Sequence, residues 1–196
     1  HPQVHVEFKE TEQVQLGLGF PAYSYFSAKL YPLYLLSVIM GGNMSSRLFM
    51  SIREKKSLCY FIRSSVTVFE DTGTLFIQAG LDKKRIESAV SAILQELTKV
   101  RRGGVTSAEL KQAKEYLKGR LILNLEASDN VASWLGSQEL LERKILTPAQ
   151  HIERLERITR QDILRVAREI ITTPRLNLSL IGPYKSGEQF RRLLRV

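Results

Sequence analysis

The sequence predicts an α+β fold, in which a mostly antiparallel or mixed sheet is covered on one face by helices. Two observations carry this prediction. Alternating apolar and polar residues, the pattern of half-buried strands, occur near both chain ends and in a central hairpin. Helical periodicity fills most of the remaining sequence. Because the sheet needs strands from both sides of the Gly103-Gly104 break, we expect a single domain over residues 1–196.

The first two predicted strands lie at the start of the chain. Residues 4–8 alternate between apolar and polar types, and residues 13–20 do the same until Pro21 ends the strand. Gly17 and Gly19 fall on the face opposite the apolar residues. A neighbouring backbone or a ligand could approach that face closely, since glycine carries no side chain.

The remaining strands form a hairpin and a late single strand. Residues 59–69 are rich in β-branched and aromatic types, and residues 70–73 have turn composition. Residues 74–81 then alternate again, which predicts the returning strand of a hairpin. A final strand is predicted over residues 176–181, after Pro174.

Helix boundaries are marked by glycines and by capping residues. Residues 28–40 predict a buried helix that Gly41-Gly42 ends, and Ser45 is predicted to cap a second helix running to residue 55. The later helices are predicted to start at Asp82, at the Thr106–Glu109 capping box, near residue 130, at Thr147-Pro148, at Thr159 and near residue 188.

Composition leaves the partner class open. The formal charge is +9, which suits nucleic acid, an acidic membrane surface or a basic substrate channel. However, Lys and Arg are scattered over helices and mixed with Glu, the pattern of solvated helix faces. We therefore expect no nucleic-acid partner. We also expect no membrane span, because the longest apolar stretch, near residues 30–40, is interrupted by Pro32.

The sequence lacks the residues that nucleophilic catalysis or metal binding would need. Cys59 is the one cysteine and lies in an apolar run, which favours a buried hydrophobe over a nucleophile. The histidines are His1, His5 and His151, and none has the spacing of HExxH or HxxEH. We predict no catalytic residue and no metal ligand in this chain. The sequence also lacks a GxSxG elbow and a phosphate-binding loop.

Two hydrogen-bond donors close the most informative stretch, GGNMSSRLFMSIREKKSLCY, residues 41–60. Arg53 lies on its predicted helix, and Tyr60 opens the next strand seven residues later. If the two side chains converge on a cleft, they could bind a peptide carbonyl and stabilise the oxyanion that forms there. In a purely structural interpretation, Arg53 pairs with Glu54 or Glu70 and Tyr60 is buried in the core. Spacing alone favours this structural interpretation over ligand binding.

This stretch resembles a segment in the second domain of M16 peptidases, which include bacterial zinc peptidases and the mitochondrial processing peptidase. The shared pattern is a glycine turn, S-S-R-L-F and I-R-E-K-x-x-L-x-Y. Three other stretches are similar to the family in the same order: LGLGFPA, LNLEASDNVASWLGSQEL, and ITRQDILRVAREII followed by LSLIGP. The resemblance therefore extends along nearly the whole chain.

The resemblance implies a LuxS/MPP-like metallohydrolase domain of the C-terminal, non-catalytic type. In this family one domain binds zinc through HxxEH and a downstream glutamate. The opposing domain supplies an arginine and, seven residues later, a tyrosine that bind the substrate backbone. Arg53 and Tyr60 match that pair and become the expected substrate-binding residues. Zinc is expected in the partner domain, with none bound by this chain.

The resemblance also bounds the expected partners. HxxEH is absent, so we expect an HxxEH-bearing M16 domain or subunit as partner and a peptide or protein as substrate. The chain, which does not begin with Met, is expected to be a piece of a longer two-domain protein. The isolated domain could also form a homodimer. The short break at residues 41–43 favours a bacterial-type peptidase over presequence processing. The alternative is a catalytically silent structural or assembly subunit of the M16 type.

Overall fold

A computed structural model describes residues 2–196. Its centre is one five-stranded sheet with the strand order β1-β5-β2-β4-β3. β1 runs parallel to β5, and all other neighbours are antiparallel, so the mixed α+β architecture predicted from the sequence is confirmed. The strands are β1 Gln3–Phe8, β2 Gln13–Ala22, β3 Cys59–Val68, β4 Gly73–Asp82 and β5 Asn177–Gly182.

β2 continues further than predicted. Pro21 does not end this strand but pairs with Thr74 of β4. The pairing of β2 with β5 stops at Gly19, so beyond that point β2 has no neighbour on its second side. Proline is tolerated at such an edge, because its missing N–H removes no bond of the ladder.

Helices cover one face of the sheet and form the core with it. Alternate residues of β2, among them Leu16 and Leu18, point to this face and are fully buried. The long helix α2 and the helix α6 pack here with their apolar sides. The helices are α1 Leu30–Ser37, α2 Ile86–Gly103, α3 Ser107–Asn124, α4 Ser128–Ser137, α5 Pro148–Glu156, α6 Arg160–Ile170 and α7 Glu188–Leu193.

The opposite face of the sheet is exposed and carries the predicted glycines. Phe76 of β4 lies over Gly17 and Gly19 of β2; a Cβ at Gly17 would stand 2.6 Å from Cζ of Phe76. The space predicted from the two glycines is therefore filled by an aromatic side chain. No helix in residues 2–196 is long and apolar enough to cross a membrane.

Local capping fixes the helix starts that the sequence marks. Thr106 accepts a hydrogen bond from the Glu109 amide, and the Glu109 carboxylate binds back to the Thr106 amide, which confirms the predicted capping box. Thr159 caps α6 in the same way with Asp162. Thr147, which the sequence predicts as the start of a helix, forms a third capping box with Gln150.

Candidate functional site

The segment over residues 41–60 leads from the end of α1 to the start of β3. Gly41 lies against β3, since a Cβ on it would stand 2.5 Å from the backbone nitrogen of Ser64. Tyr116 of α3 holds the next residue, because its hydroxyl donates to the Gly42 carbonyl oxygen at 3.0 Å. The start of the segment is thus fixed by the sheet on one side and by α3 on the other.

The helical part of the segment begins later than predicted, and Ser45 is not its cap. Oδ1 of Asn43 accepts hydrogen bonds from the Ser45 amide and hydroxyl, at 3.0 and 2.9 Å, which closes a turn. The Ser46 carbonyl then accepts the first helical bond, from the Met50 amide. Ser46 therefore occupies the cap position, and its own hydroxyl donates to the Asn43 carbonyl.

Arg47 anchors the segment to the helix layer. Its guanidinium donates to both carboxylate oxygens of Glu109, at 2.6 and 2.8 Å, and to the Gly104 carbonyl oxygen at 3.0 Å. This fork lowers the pKa of Glu109 to about 2 against an ordinary value of 4.5, with the Thr106 amide helping. Arg47 was not singled out in the sequence, because its partner lies 62 residues away.

Arg53 lies near the end of a wide, π-helical stretch, Phe49–Lys55. Its guanidinium stacks over the ring of Phe49, 4.8 Å from the ring centroid. Among residues 2–196 it has no hydrogen-bond or ion-pair partner and is exposed. Ser57, with a left-handed φ of 49°, ends the helical path and directs the chain into β3.

Tyr60 lies at an irregularity in β3. The pairing with β4 steps from Cys59–Leu81 to Phe61–Gly80, so Tyr60 is the extra residue of a β-bulge. Its side chain is 54% exposed. Bulges of this kind redirect a side chain out of the regular alternation. The hydroxyl of Tyr60 is therefore exposed to solvent at the start of the edge strand β3, shortly after the π-helical stretch that carries Arg53.

Cys59 lies between Arg53 and Tyr60 in the sequence, and its thiol is unreactive. Burial raises the pKa of its thiol to about 11, although the positive charge of Arg53 opposes the shift. The thiol is thus protonated at neutral pH and is a poor nucleophile.

The structural interpretation of the two donors does not match this geometry. Glu70 faces Arg143, 3.7 Å away, and leaves Arg53 without that partner. Tyr60 lies outside the core. The arrangement is an exposed cation and an exposed hydroxyl at one end of the edge strand. Both can donate hydrogen bonds to a carbonyl oxygen.

Zinc does not fit the side chains that the structure describes. In residues 2–196 no group of three or more His, Cys, Asp or Glu side chains is placed to hold a metal ion. His5 lies exposed on β1, and His1 falls outside the described residues. Both ring nitrogens of His151 are already engaged, with Tyr31 and Gln138. A zinc site would need three protein ligands with free donor atoms.

Comparison with known proteins identifies the family to which this chain belongs. The family described as "Peptidase M16 inactive domain" matches residues 1–117. The uncharacterized zinc protease YmxG of Bacillus subtilis is 36% identical over 186 residues, which are 93% of this chain and 45% of that protein. An uncharacterized zinc protease of Streptomyces coelicolor is 30% identical over 93% of this chain and 40% of its own length.

Solved structures share the fold. A conserved protein from Enterococcus faecalis superposes with a TM-score of 0.81 at 25% identity, covering 95% of this chain and 43% of that one. A peptidase M16 inactive domain from Pseudomonas fluorescens gives a TM-score of 0.85 at 17% identity, over 94% and 44% of the two chains. The chain spans less than half the length of these relatives. It belongs to the M16 peptidase family and is an inactive domain of that family.

Proposed function

We propose that this chain is the substrate-binding half of an M16 zinc metallopeptidase whose zinc site is supplied by an HxxEH-bearing domain or subunit. In this proposal Arg53 and Tyr60 donate hydrogen bonds to the substrate backbone next to the bond that is cleaved. The zinc of the partner supplies a Lewis acid and an activated water. The residues of this chain position the peptide and stabilise the charge that develops on its carbonyl oxygen.

The single observation that supports this role is the exposure of the Arg53 and Tyr60 side chains, which leaves their donor groups accessible. An exposed guanidinium without a carboxylate beside it and an exposed tyrosine hydroxyl both keep their donors available for a ligand. Here Arg53 has neither an ion pair nor a hydrogen bond within residues 2–196, and a bulge turns Tyr60 outward. A half-buried anchor, Arg47, holds the same segment in place. Rigid support beneath free donors is the arrangement that transition-state stabilisation requires.

The alternative is a silent M16 subunit that serves assembly alone. It would use the same fold, and it predicts no effect of Arg53 or Tyr60 on any reaction. The two hypotheses therefore separate at these two side chains.

The test combines this chain with its HxxEH-bearing M16 partner and measures kcat/KM for peptide cleavage. Arg53→Ala and Tyr60→Phe should each lower kcat/KM on the order of a hundredfold, as is typical when one preorganised donor is lost. Arg63→Ala is the matched control, since Arg63 is also exposed on β3 but donates to Gln78 at 2.6 Å. Its activity should stay within about twofold of wild type. Full activity in both test variants would refute the proposal.

A further inference from the structure

Exposed apolar side chains are concentrated in one part of the molecule. We call residues 122–145 the arm; it runs from the end of α3 through α4 and the π-helical turn Gln138–Glu142. Six of the thirteen large apolar side chains that are exposed in the described residues lie in it. They are Ile122, Leu123, Leu135, Leu140, Leu141 and Ile145, and Leu140 is 79% exposed. Such a concentration is unusual on a free surface and typical of an interface.

The arm is weakly covered by the rest of the chain. None of the residues of α4 is buried, and α3 buries only Leu110 and Ala113, both near its start. A helix normally gains its stability by burying an apolar face against a neighbour. In α4 and in the end of α3 that gain is small within residues 2–196.

The arm is nevertheless fixed in position. Gln138, which is 2% exposed, accepts a hydrogen bond from the Leu146 amide at 2.9 Å. The same oxygen lies 3.1 Å from Nε2 of His151, so that nitrogen must carry the proton and donate. Nδ1 of His151 is then the acceptor for the Tyr31 hydroxyl at 2.7 Å. This partly buried chain of hydrogen bonds ties the arm to α1 and α5, and Trp134 packs on the imidazole.

A cleft of about 630 Å³ opens beside the arm. Its walls come from the start of α1, from α3 and α5, and from the arm itself through Glu142. Apolar and aromatic side chains make up most of the lining, among them Phe26, Tyr34, Leu121 and Leu155. The volume is ample for several apolar side chains of another protein.

We propose that the exposed face of the arm, together with this cleft, seats the zinc-binding M16 half, which inserts apolar side chains into the cleft. The inference rests on the proposed function in one respect, namely that such a half is the partner. The relatives are more than twice as long as this chain, which covers 40–45% of them. Their remaining length is enough for a second domain of this size, and an apolar face held rigid without cover is suited to receive it.

A second copy of this chain fits the same surface less well. Each copy carries a formal charge of +9, so two copies repel one another. The arm itself carries four acidic and two basic residues, a net charge of −2, so a symmetric dimer would also bring two like-charged surfaces together. A homodimer through the arm is therefore the competing outcome of the test.

The first measurement is hydrogen exchange on the wild-type chain, alone and with the zinc-binding half of the same organism, as a separate subunit or as one polypeptide. Amides of residues 122–145 should exchange at least tenfold more slowly with the partner present. Amides of β1, at the far edge of the sheet, should change less than twofold. Unchanged exchange in the arm would overturn the proposal without any variant having to fold.

The second measurement is the affinity of the two halves. Leu140→Glu and Ile122→Glu should each weaken binding at least tenfold, because each puts a charge into an apolar contact. Phe8→Glu is the matched control, since Phe8 is 52% exposed against 55% for Ile122; it should change binding less than twofold. Wild-type affinity in both arm variants would refute the interface. So would a dimer of this chain that the same variants dissociate. Neither result depends on Arg53 or Tyr60, so the interface and the proposed substrate role can fail separately.

Discussion

At the scale of single residues, two arginines of one segment have opposite environments. Arg47 is held by Glu109 and the Gly104 carbonyl, whereas Arg53 stacks on Phe49 and has no hydrogen-bond or ion-pair partner among residues 2–196. An arginine that makes a bidentate pair is held in a single orientation, and one that only stacks keeps its donors free. We therefore expect Arg47 to serve stability, whereas ligand binding is the role proposed for Arg53.

Replacing Arg47 should cost stability more than activity. Arg47→Met leaves the partly buried Glu109 carboxylate without its partner, and we expect a loss of about 2 kcal/mol in the free energy of unfolding at pH 7. Urea unfolding measures it. Arg165→Met is the control, because the exposed Arg165–Asp162 pair should contribute under about 1 kcal/mol. Equal losses in the two variants would contradict the assigned role.

The pH dependence of that loss has a definite sign. The pKa of Glu109 is lowered to about 2 in the folded chain, against 4.5 ordinarily. The stability it contributes is thus fully present above pH 4.5 and disappears as the pH falls towards 2. The difference between wild type and Arg47→Met should accordingly shrink as the pH falls through that window.

His151 should make the fold sensitive to mild acid. Burial, and secondly the charge of Arg154, lower its pKa below the ordinary 6.5, so the folded chain favours the neutral ring. The unfolded chain binds the proton first, and stability falls as the pH drops below 6.5, by at most about 1.4 kcal/mol per pH unit. Melting of wild type and His151→Gln between pH 7.5 and 5.5 tests this. A slope unchanged by the substitution would contradict it, and His5→Gln serves as control.

At the scale of elements, the outcome of sequence-based prediction depended on how far apart the interacting residues lie. Capping boxes such as Thr106 with Glu109 were readable because both partners are three residues apart. The bulge at Tyr60 and the widened helix Phe49–Lys55 were not, since each arises from packing against β4 or the helix layer. The glycines of β2 indicated open space correctly, but not that Phe76 occupies it.

The family resemblance supplied what periodicity could not. Spacing alone favoured a structural role for Arg53 and Tyr60, and only their match to a family pattern made them candidate site residues. The Arg47–Glu109 pair was missed for a different reason. Its two members come from separate elements, and a single sequence contains no signal that joins them.

The close contact between Gly41 and β3 predicts an intolerant position. In Gly41→Ala the new Cβ would press on the backbone of Ser64 and Arg63, which cannot move without disturbing the sheet. We expect a loss of about 1–3 kcal/mol in the free energy of unfolding. Gly119→Ala is the control, because nothing lies within 4 Å of that Cβ and alanine should stabilise α3 by up to about 1 kcal/mol. Denaturant midpoints of the two variants should move in opposite directions.

At the scale of the whole molecule, the core is held together by apolar packing. The buried residues of sheet and helices form one apolar cluster, and residues 2–196 hold no group of side chains suited to metal binding. Folding and zinc binding should then be independent in this chain, in contrast to small domains that fold around their metal.

Metal removal tests this independence. The melting temperature of the chain alone should be unchanged, within about 1 °C, by EDTA or by added zinc, since a ligand that does not bind the folded state cannot shift it. Peptide cleavage by the chain with its zinc-binding half should, by contrast, be abolished by EDTA. A zinc-dependent rise in the melting temperature that His151→Gln removes would contradict the expectation.

The position of β5 bears on how the protein is made. β5 is the last strand in sequence, yet it lies between β1 and β2, the first two. A ribosome must therefore release nearly the whole chain before the sheet can close, and until then β1 has no neighbour and β2 lacks one of its two. Sheets completed by such distant pairings form slowly, because the chain between them must be ordered first. We expect the nascent chain to keep two unpaired edges exposed during synthesis, which makes it a natural client for chaperones.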